Sequence, residues 1–205
     1  MNAPIVTVNA DFTDGAKVGL ENVRANLPGS VITFVQESKR IRLREKLPHL
    51  LGVRQGTEPD KANSSLIWDK SRVHLIDHTQ TLAVDAHPGV EMLPRWLKRI
   101  DCRIDDRLLV SAIVGHRPPP RYRWLWPEFD QAVAAEIQFA PFPTIVGLDT
   151  NSHTPAMLAR SLGLRWSGRG IDGFMYDRRL HVSRARRMKA TRSDHRAVLA
   201  FLETR

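Results

Sequence analysis

Short β-branched apolar runs that stop abruptly at polar residues recur along this chain, and they restrict its fold more than any other feature. Val31-Ile32-Thr33-Phe34-Val35 is too short to hold together as a helix, and its branched side chains keep more freedom on a pleated sheet than against a helical turn. The same reading predicts strands over 5–8, 65–68, 73–76, 81–84, 97–104, 108–114, 144–148, 171–176 and 195–202, with Asp105-Asp106 turning a hairpin. Apolar spacing predicts helices over 14–27, 38–47, 127–139 and 155–162. Pro28-Gly29 and Pro48 close the first two, and Pro127 sits in the first turn of the third. Strands outnumber helices. With 205 residues, 42% of them hydrophobic, the chain can bury one sizeable core. Two layers of sheet with helices outside would bury such runs on both faces, which predicts an α/β sandwich. No internal repeat or composition shift marks a boundary, so 1–205 reads as one domain.

Charge and cysteine usage narrow the function classes. Lys and Arg number 31 against 22 Asp and Glu, a formal net charge of +9, which favours a polyanionic partner. Cys102 is the only cysteine, which excludes an intramolecular disulfide framework and a thiolate metal cluster and suits a small buried side chain in a strand. Met1-Asn2-Ala3-Pro4-Ile5 has no basic start followed by a long apolar stretch, and no run approaches the ~20 apolar residues of a membrane span. The expectation is a cytoplasmic protein with no membrane association and no implied protein partner.

Several predicted strands stop at a group that a purely structural strand does not need. Residues 5–8 lead into Asn9-Ala10-Asp11, 31–35 into Gln36-Glu37, 108–114 into Gly115-His116, and 144–148 into Asp149-Thr150-Asn151. The last strand is announced by Ser193-Asp194-His195. Each has a plain structural alternative: Asn9, Asp11 and Asp149 suit turns, and Glu37 or Asn151 suits a helix cap. Asp172 is different, because a carboxylate among the apolar residues of Ile171-Asp172-Gly173-Phe174 needs a partner, and a histidine N–H is an obvious one. In a layered open sheet, such strand ends converge on one crevice.

Taken in order, Val8-Asn9-Ala10-Asp11, Gln36-Glu37, Gly115-His116, Leu148-Asp149-Thr150-Asn151, Ile171-Asp172-Gly173-Phe174 and Ser193-Asp194-His195 resemble the endonuclease/exonuclease/phosphatase superfamily, which includes DNase I-like nucleases and abasic-site endonucleases. The resemblance spans nearly the whole chain. It departs at Leu148, where the family usually has glycine, with Gly147 one residue earlier. The implied fold is a DNase I-like, four-layered α/β sandwich of two packed mixed β-sheets flanked by helices. The implied cofactor is Mg²⁺ or Mn²⁺, a hard cation that prefers oxygen ligands. Glu37 would be its principal ligand, with Asn9, Asp11 and Asp194 near it. Asp172 would orient His195 as general base or phosphate clamp, Asp149 and Asn151 would orient the attacking water, and His116 would contact the phosphate or leaving group. Asp149 is the rival general base.

Basic residues supply the indication of substrate. Arg117, Arg121 and Arg123 are interleaved with Tyr122 and Trp124, a pattern suited to backbone phosphates and stacked bases, and the arginine-rich stretch over 178–196 contributes Arg187 and Arg192. The expected activity is therefore metal-dependent hydrolysis of phosphodiester bonds in nucleic acid, DNA before RNA. The alternatives are a phosphatase or phosphodiesterase of the same superfamily acting on a small or lipid phosphate ester, and a non-catalytic nucleic-acid-binding protein.

Overall fold

The computed structural model describes residues 2–10, 16–38, 41–56, 64–188 and 195–203. Two mixed sheets lie face to face with helices on their outer surfaces. The first runs β11(His181–Val182), β13(Val198–Glu203), β1(Asn2–Asn9), β2(Ile32–Gln36), β4(Ser64–Asp69), β3(Leu51–Arg54), with β12(Arg186–Arg187) also paired to β13. The second runs β5(Val73–Val84), β6(Arg95–Ile104), β7(Leu108–His116), β8(Thr144–Asp149), β10(Asp172–Tyr176), β9(Arg165–Arg169). Each sheet has one parallel pair, β1 with β2 and β7 with β8.

Alternation along the strands sorts their side chains into three apolar layers. Between the sheets, Ile32, Phe34 and Leu66 meet Ile100, Cys102, Val114 and Phe174; Phe34 and Phe174 make an edge-on contact with centroids 5.7 Å apart. Outside the first sheet, Val6, Val8 and Val35 pack beneath Val23 of α1(Ala16–Asn26). Outside the second, Ile113, Val146 and Leu148 pack beneath Phe129 and Val133 of α3(Trp126–Gln138) and Ala159 of α4(Pro155–Ser161). The four layers are those expected. They also account for Leu148: it fills the outer layer, while Gly147 faces inward, where an added Cβ would lie 2.3 Å from the Phe34 ring. The glycine is needed where the Phe34 ring crosses from the facing sheet.

Some elements differ from their sequence reading. The strands expected over 73–76 and 81–84 are one continuous β5, whose polar middle, Asp77 to Gln80, was read as a break; register shifts at Leu75/Asp77 and Leu82/Val84 absorb the irregularity. The helix expected over 38–47 shrinks to one turn, α2(Leu43–Lys46), with 39 and 40 outside the described residues. The buried Gln55 amide takes its place, accepting from Leu43 N–H and donating to the carbonyls of Ser38 and Ile41. β3 was missed because Gly52 interrupts its apolar pattern; Trp68 lies across that glycine, 2.0 Å from where a Cβ would stand. β9 was missed because it is short and charged. Pro120–Leu125 winds into a 3-10 turn that feeds α3. The closing strand begins at Val198, so His195 precedes it.

Candidate active site

Strand register builds the site. Parallel pairing of β7 with β8 sets His116 beside Asp149, and antiparallel pairing of β8 with β10 sets Asp149 beside Asp172. Three chemically capable residues thus form a row at one end of the second sheet. At the same end of the first sheet, β1 and β2 finish together with Asn9 opposite Gln36. Gln36 is buried, accepting from Thr7 Oγ1 at 3.1 Å and donating to the Gly147 carbonyl across the sandwich at 3.4 Å. Immediately after it, Glu37 takes a left-handed backbone (φ 56°), as Asn151 does after Asp149 (φ 48°). Such a conformation is uncommon for a non-glycine residue and costly for Glu, and it breaks the strand alternation at this point.

Carboxylates and imidazoles converge between the strand ends. Asp149 is 1% exposed; it accepts from Asn151 N–H at 2.9 Å and from Asn9 Nδ2 at 3.4 Å. Burial, and then the neighbouring Asp172 carboxylate, push it up to about 7. The His195 ring is held by Asp172, with Nδ1 at 3.0 and 3.2 Å from its two oxygens. In the neutral ring this places the proton on Nδ1 and leaves Nε2 as the lone-pair nitrogen.

His116 is held in the opposite way. Arg95 Nη1 lies 3.4 Å from His116 Nδ1, and because a guanidinium only donates, Nδ1 must accept and Nε2 carries the proton. That Nε2 is 3.5 Å from Asp149 Oδ2 and 3.7 Å from Glu37 Oε1. Burial, followed by the charges of Arg95 and His195, holds the His116 ring well below the usual imidazole range, so it is neutral at pH 7. Arg95 itself is lowered to about 10 by burial, partly offset by Glu37 and Asp149. This arginine, absent from the sequence reading, stands within electrostatic reach of Glu37 and Asp149, and nothing in Pro94-Arg95-Trp96 separates it from the other basic residues.

The donor set suits a hard divalent cation. Asp149, Asp172 and His195 each offer a ligand atom within 4.8 Å of the others, and from the strand ends of the facing sheet Glu37 adds a carboxylate and Asn9 an amide. The His195 Nδ1 belongs to its hydrogen bond with Asp172, so the oxygens of Glu37, Asn9 and Asp149 make the better match. Beyond its burial, Asp149 feels the like charges of Asp172 and Glu37, which a cation would relieve.

The other expected site residues divide into three groups. Asp11, Asp194 and Arg192 lie outside the described residues. Arg121, Arg123 and Arg187 are exposed, and Trp124 beside the first two is 57% exposed, edge-on to His87. Arg117, expected to face nucleic acid, is turned inward instead: its guanidinium pairs with Asp130 and lies 4.0 Å over the Trp126 ring, while its carbonyl accepts from Asn151 Nδ2 at 2.7 Å. It is a strut beneath the site, because a guanidinium buried at this position needs the carboxylate and the ring more than it can use solvent. Among the described residues no helix is long and apolar enough to cross a membrane.

No family model and no curated protein matches the chain by sequence. Solved structures do match its shape. A humanized Danio rerio TDP2 carrying 14 mutations superposes with a TM-score of 0.78 at 17% identity, over 99% of each chain. An endonuclease/exonuclease/phosphatase family protein from Bacteroides thetaiotaomicron gives 0.76 at 13%, covering 98% of this chain and 95% of its own. A mannosyl-6-phosphatase from the same organism gives 0.72 at 14%, covering 98% and 99%. The fold anticipated from the six ordered motifs is therefore shown: two packed mixed sheets between helices, the fold of the endonuclease/exonuclease/phosphatase proteins.

Proposed function

We propose that this protein is a divalent-metal-dependent nuclease that hydrolyses phosphodiester bonds, with DNA as its principal substrate. The observation that carries the reading is the row His116, Asp149 and Asp172, set by register and closed by His195 and Glu37. Glu37, with Asn9 and Asp149, would hold Mg²⁺ or Mn²⁺. The bound cation would supply Lewis-acid polarisation of a phosphoryl oxygen and relief of charge in the transition state.

The side chains account for the remaining requirements. Asp172 fixes the tautomer of His195, so Nε2 can take a proton from water or, once protonated, bear on a phosphoryl oxygen. Asp149 is the alternative proton acceptor and with Asn151 would orient the attacking water. His116, neutral with its proton on Nε2, donates toward the leaving oxygen, and Arg95 behind it adds positive charge.

Nucleic acid as substrate is supported by the net charge of +9 and by the exposed Arg121, Arg123 and Arg187. A similar structure, that of D. rerio TDP2, is complexed with a single strand DNA product. The test is a panel of supercoiled plasmid, single-stranded DNA, RNA, an abasic duplex and a phosphomonoester, each with Mg²⁺ or EDTA. EDTA-sensitive cutting of DNA is the expected result. Turnover of the phosphomonoester alone would move the protein to the phosphatase branch, and binding to DNA without any turnover would leave a binding protein.

A further inference from the structure

We propose that Arg169, Arg187 and Arg196 form a subsite for a second phosphate of the substrate, on the His195 side of the scissile position. An open pocket of about 300 Å³ is lined by these three arginines together with Gly170, Asp172 and His195. The arginines come from separate parts of the chain. Arg169 ends β9 before the turn into Asp172, Arg187 ends β12 opposite Val198, and Arg196 directly follows His195. Arg187 and Arg196 belong to the arginine-rich stretch over 178–196, and folding adds Arg169 from β9.

Charge and fixation point to an anion. Asp172 is the carboxylate among the lining residues, and it is engaged by His195. Among the described residues, three guanidinium groups therefore share one pocket with a single carboxylate, an arrangement relieved by a ligand that accepts several N–H bonds at once, as a phosphate does. Arg169 is anchored, its Nε donating to the Ala185 carbonyl at 2.9 Å. Gly170 turns with φ 70°, and a Cβ there would come within 3.5 Å of Arg187 Nη2. The Arg187 guanidinium thus reaches to the Gly170 turn. Since the pocket adjoins His195, a phosphate held there would be the neighbour of the one being cut, and contacts of this kind set the register of a strand without reading its bases.

This inference rests on the nuclease reading, and its test separates the two. A fluorescent thymidine hexanucleotide is bound in EDTA to the wild-type protein and to the Arg187→Gln/Arg196→Gln double variant; both side chains are exposed, so the fold should persist. Each internal phosphate in turn is replaced by a neutral methylphosphonate. At one position the replacement should weaken wild-type binding roughly tenfold and the variant less than about twofold, since charged hydrogen bonds are lost only where the arginines are present. Equal losses for both proteins at every position would overturn the subsite. Coupling with thymidine 3′,5′-bisphosphate as competitor, but none along the hexanucleotide, would overturn its assignment to a strand and give it to a small bisphosphate. Cleavage of the unmodified hexanucleotide with Mg²⁺ is scored independently: cutting without coupling removes the subsite alone, and coupling without cutting supports the subsite while removing the nuclease.

Discussion

His116 and His195 face the same carboxylate, Asp149, from opposite sides, and the chain prepares them differently. His116 ends a central strand, is 5% exposed, and has a guanidinium behind it. His195 stands just ahead of β13 in the other sheet, is part-buried, and has a carboxylate behind it. A cation at the back fixes the first ring as a neutral donor. An anion at the back holds the second ring's proton on Nδ1 and leaves Nε2 as the acceptor. The lesson is that the partner on the far nitrogen, not residue type or position in the cleft, decides which way a histidine moves protons.

That contrast can be broken in four ways, the largest effect first. His195→Ala should lower kcat on DNA by about 10³-fold, and His116→Gln by about 10², within the range for loss of a positioned acid or base; equal, small losses would remove the distinction. Asp172→Asn should cost about 10²-fold, because an amide can turn its NH₂ toward Nδ1 and no longer holds His195 in the tautomer with a free Nε2 lone pair. An unchanged rate would reduce Asp172 to a packing role.

The third effect is on stability. The His116 ring is depressed in the folded state, so below about 6.5 the unfolded chain binds a proton that the native one refuses. Stability that is whole above that pH should be lost as the pH falls, and His116→Gln should flatten this part of the curve. Asp149 acts in the other direction, its raised value making metal-free protein less stable as pH rises from about 4 to about 7. The difference between wild type and variant melting curves isolates His116; no difference between pH 5 and 8 would contradict its buried, neutral state. The smallest effect is expected from Arg121→Ala with Arg123→Ala, which should reduce the slope of log affinity against log salt by about one to two, as one or two phosphate contacts would. An unchanged slope would place the strand away from the 3-10 turn.

Much of this site was legible because strand ends are legible. Short β-branched runs locate the strands, and polar residues at their ends are conspicuous against them, so Asn9, Glu37, His116, Asp149 and Asp172 stand out before any pairing is known. The need of a carboxylate in an apolar strand points to a histidine partner for Asp172, and the ordered motifs single out His195, which the structure places there. What pairing adds was hidden. Arg95 resembles every other basic residue until β6 is laid against β7. Arg117 reads as a nucleic-acid contact until Asp130 and Trp126, on the following helix, turn out to claim it. Glycine concealed β3, since a residue that weakens a strand signal is what allows Trp68 to cross that strand.

The central claim is that the carboxylates at these strand ends hold a divalent cation that phosphodiester cleavage requires. The most direct measurement is the rate of single-stranded DNA cleavage as a function of Mg²⁺ concentration, for wild type and for Glu37→Gln. The account predicts no cutting in EDTA, saturable activation in the wild type, and a half-saturating Mg²⁺ concentration raised about tenfold or more when Glu37 loses its charge. Cleavage that persists in EDTA, or Mg²⁺ curves that coincide for the two proteins, would contradict it.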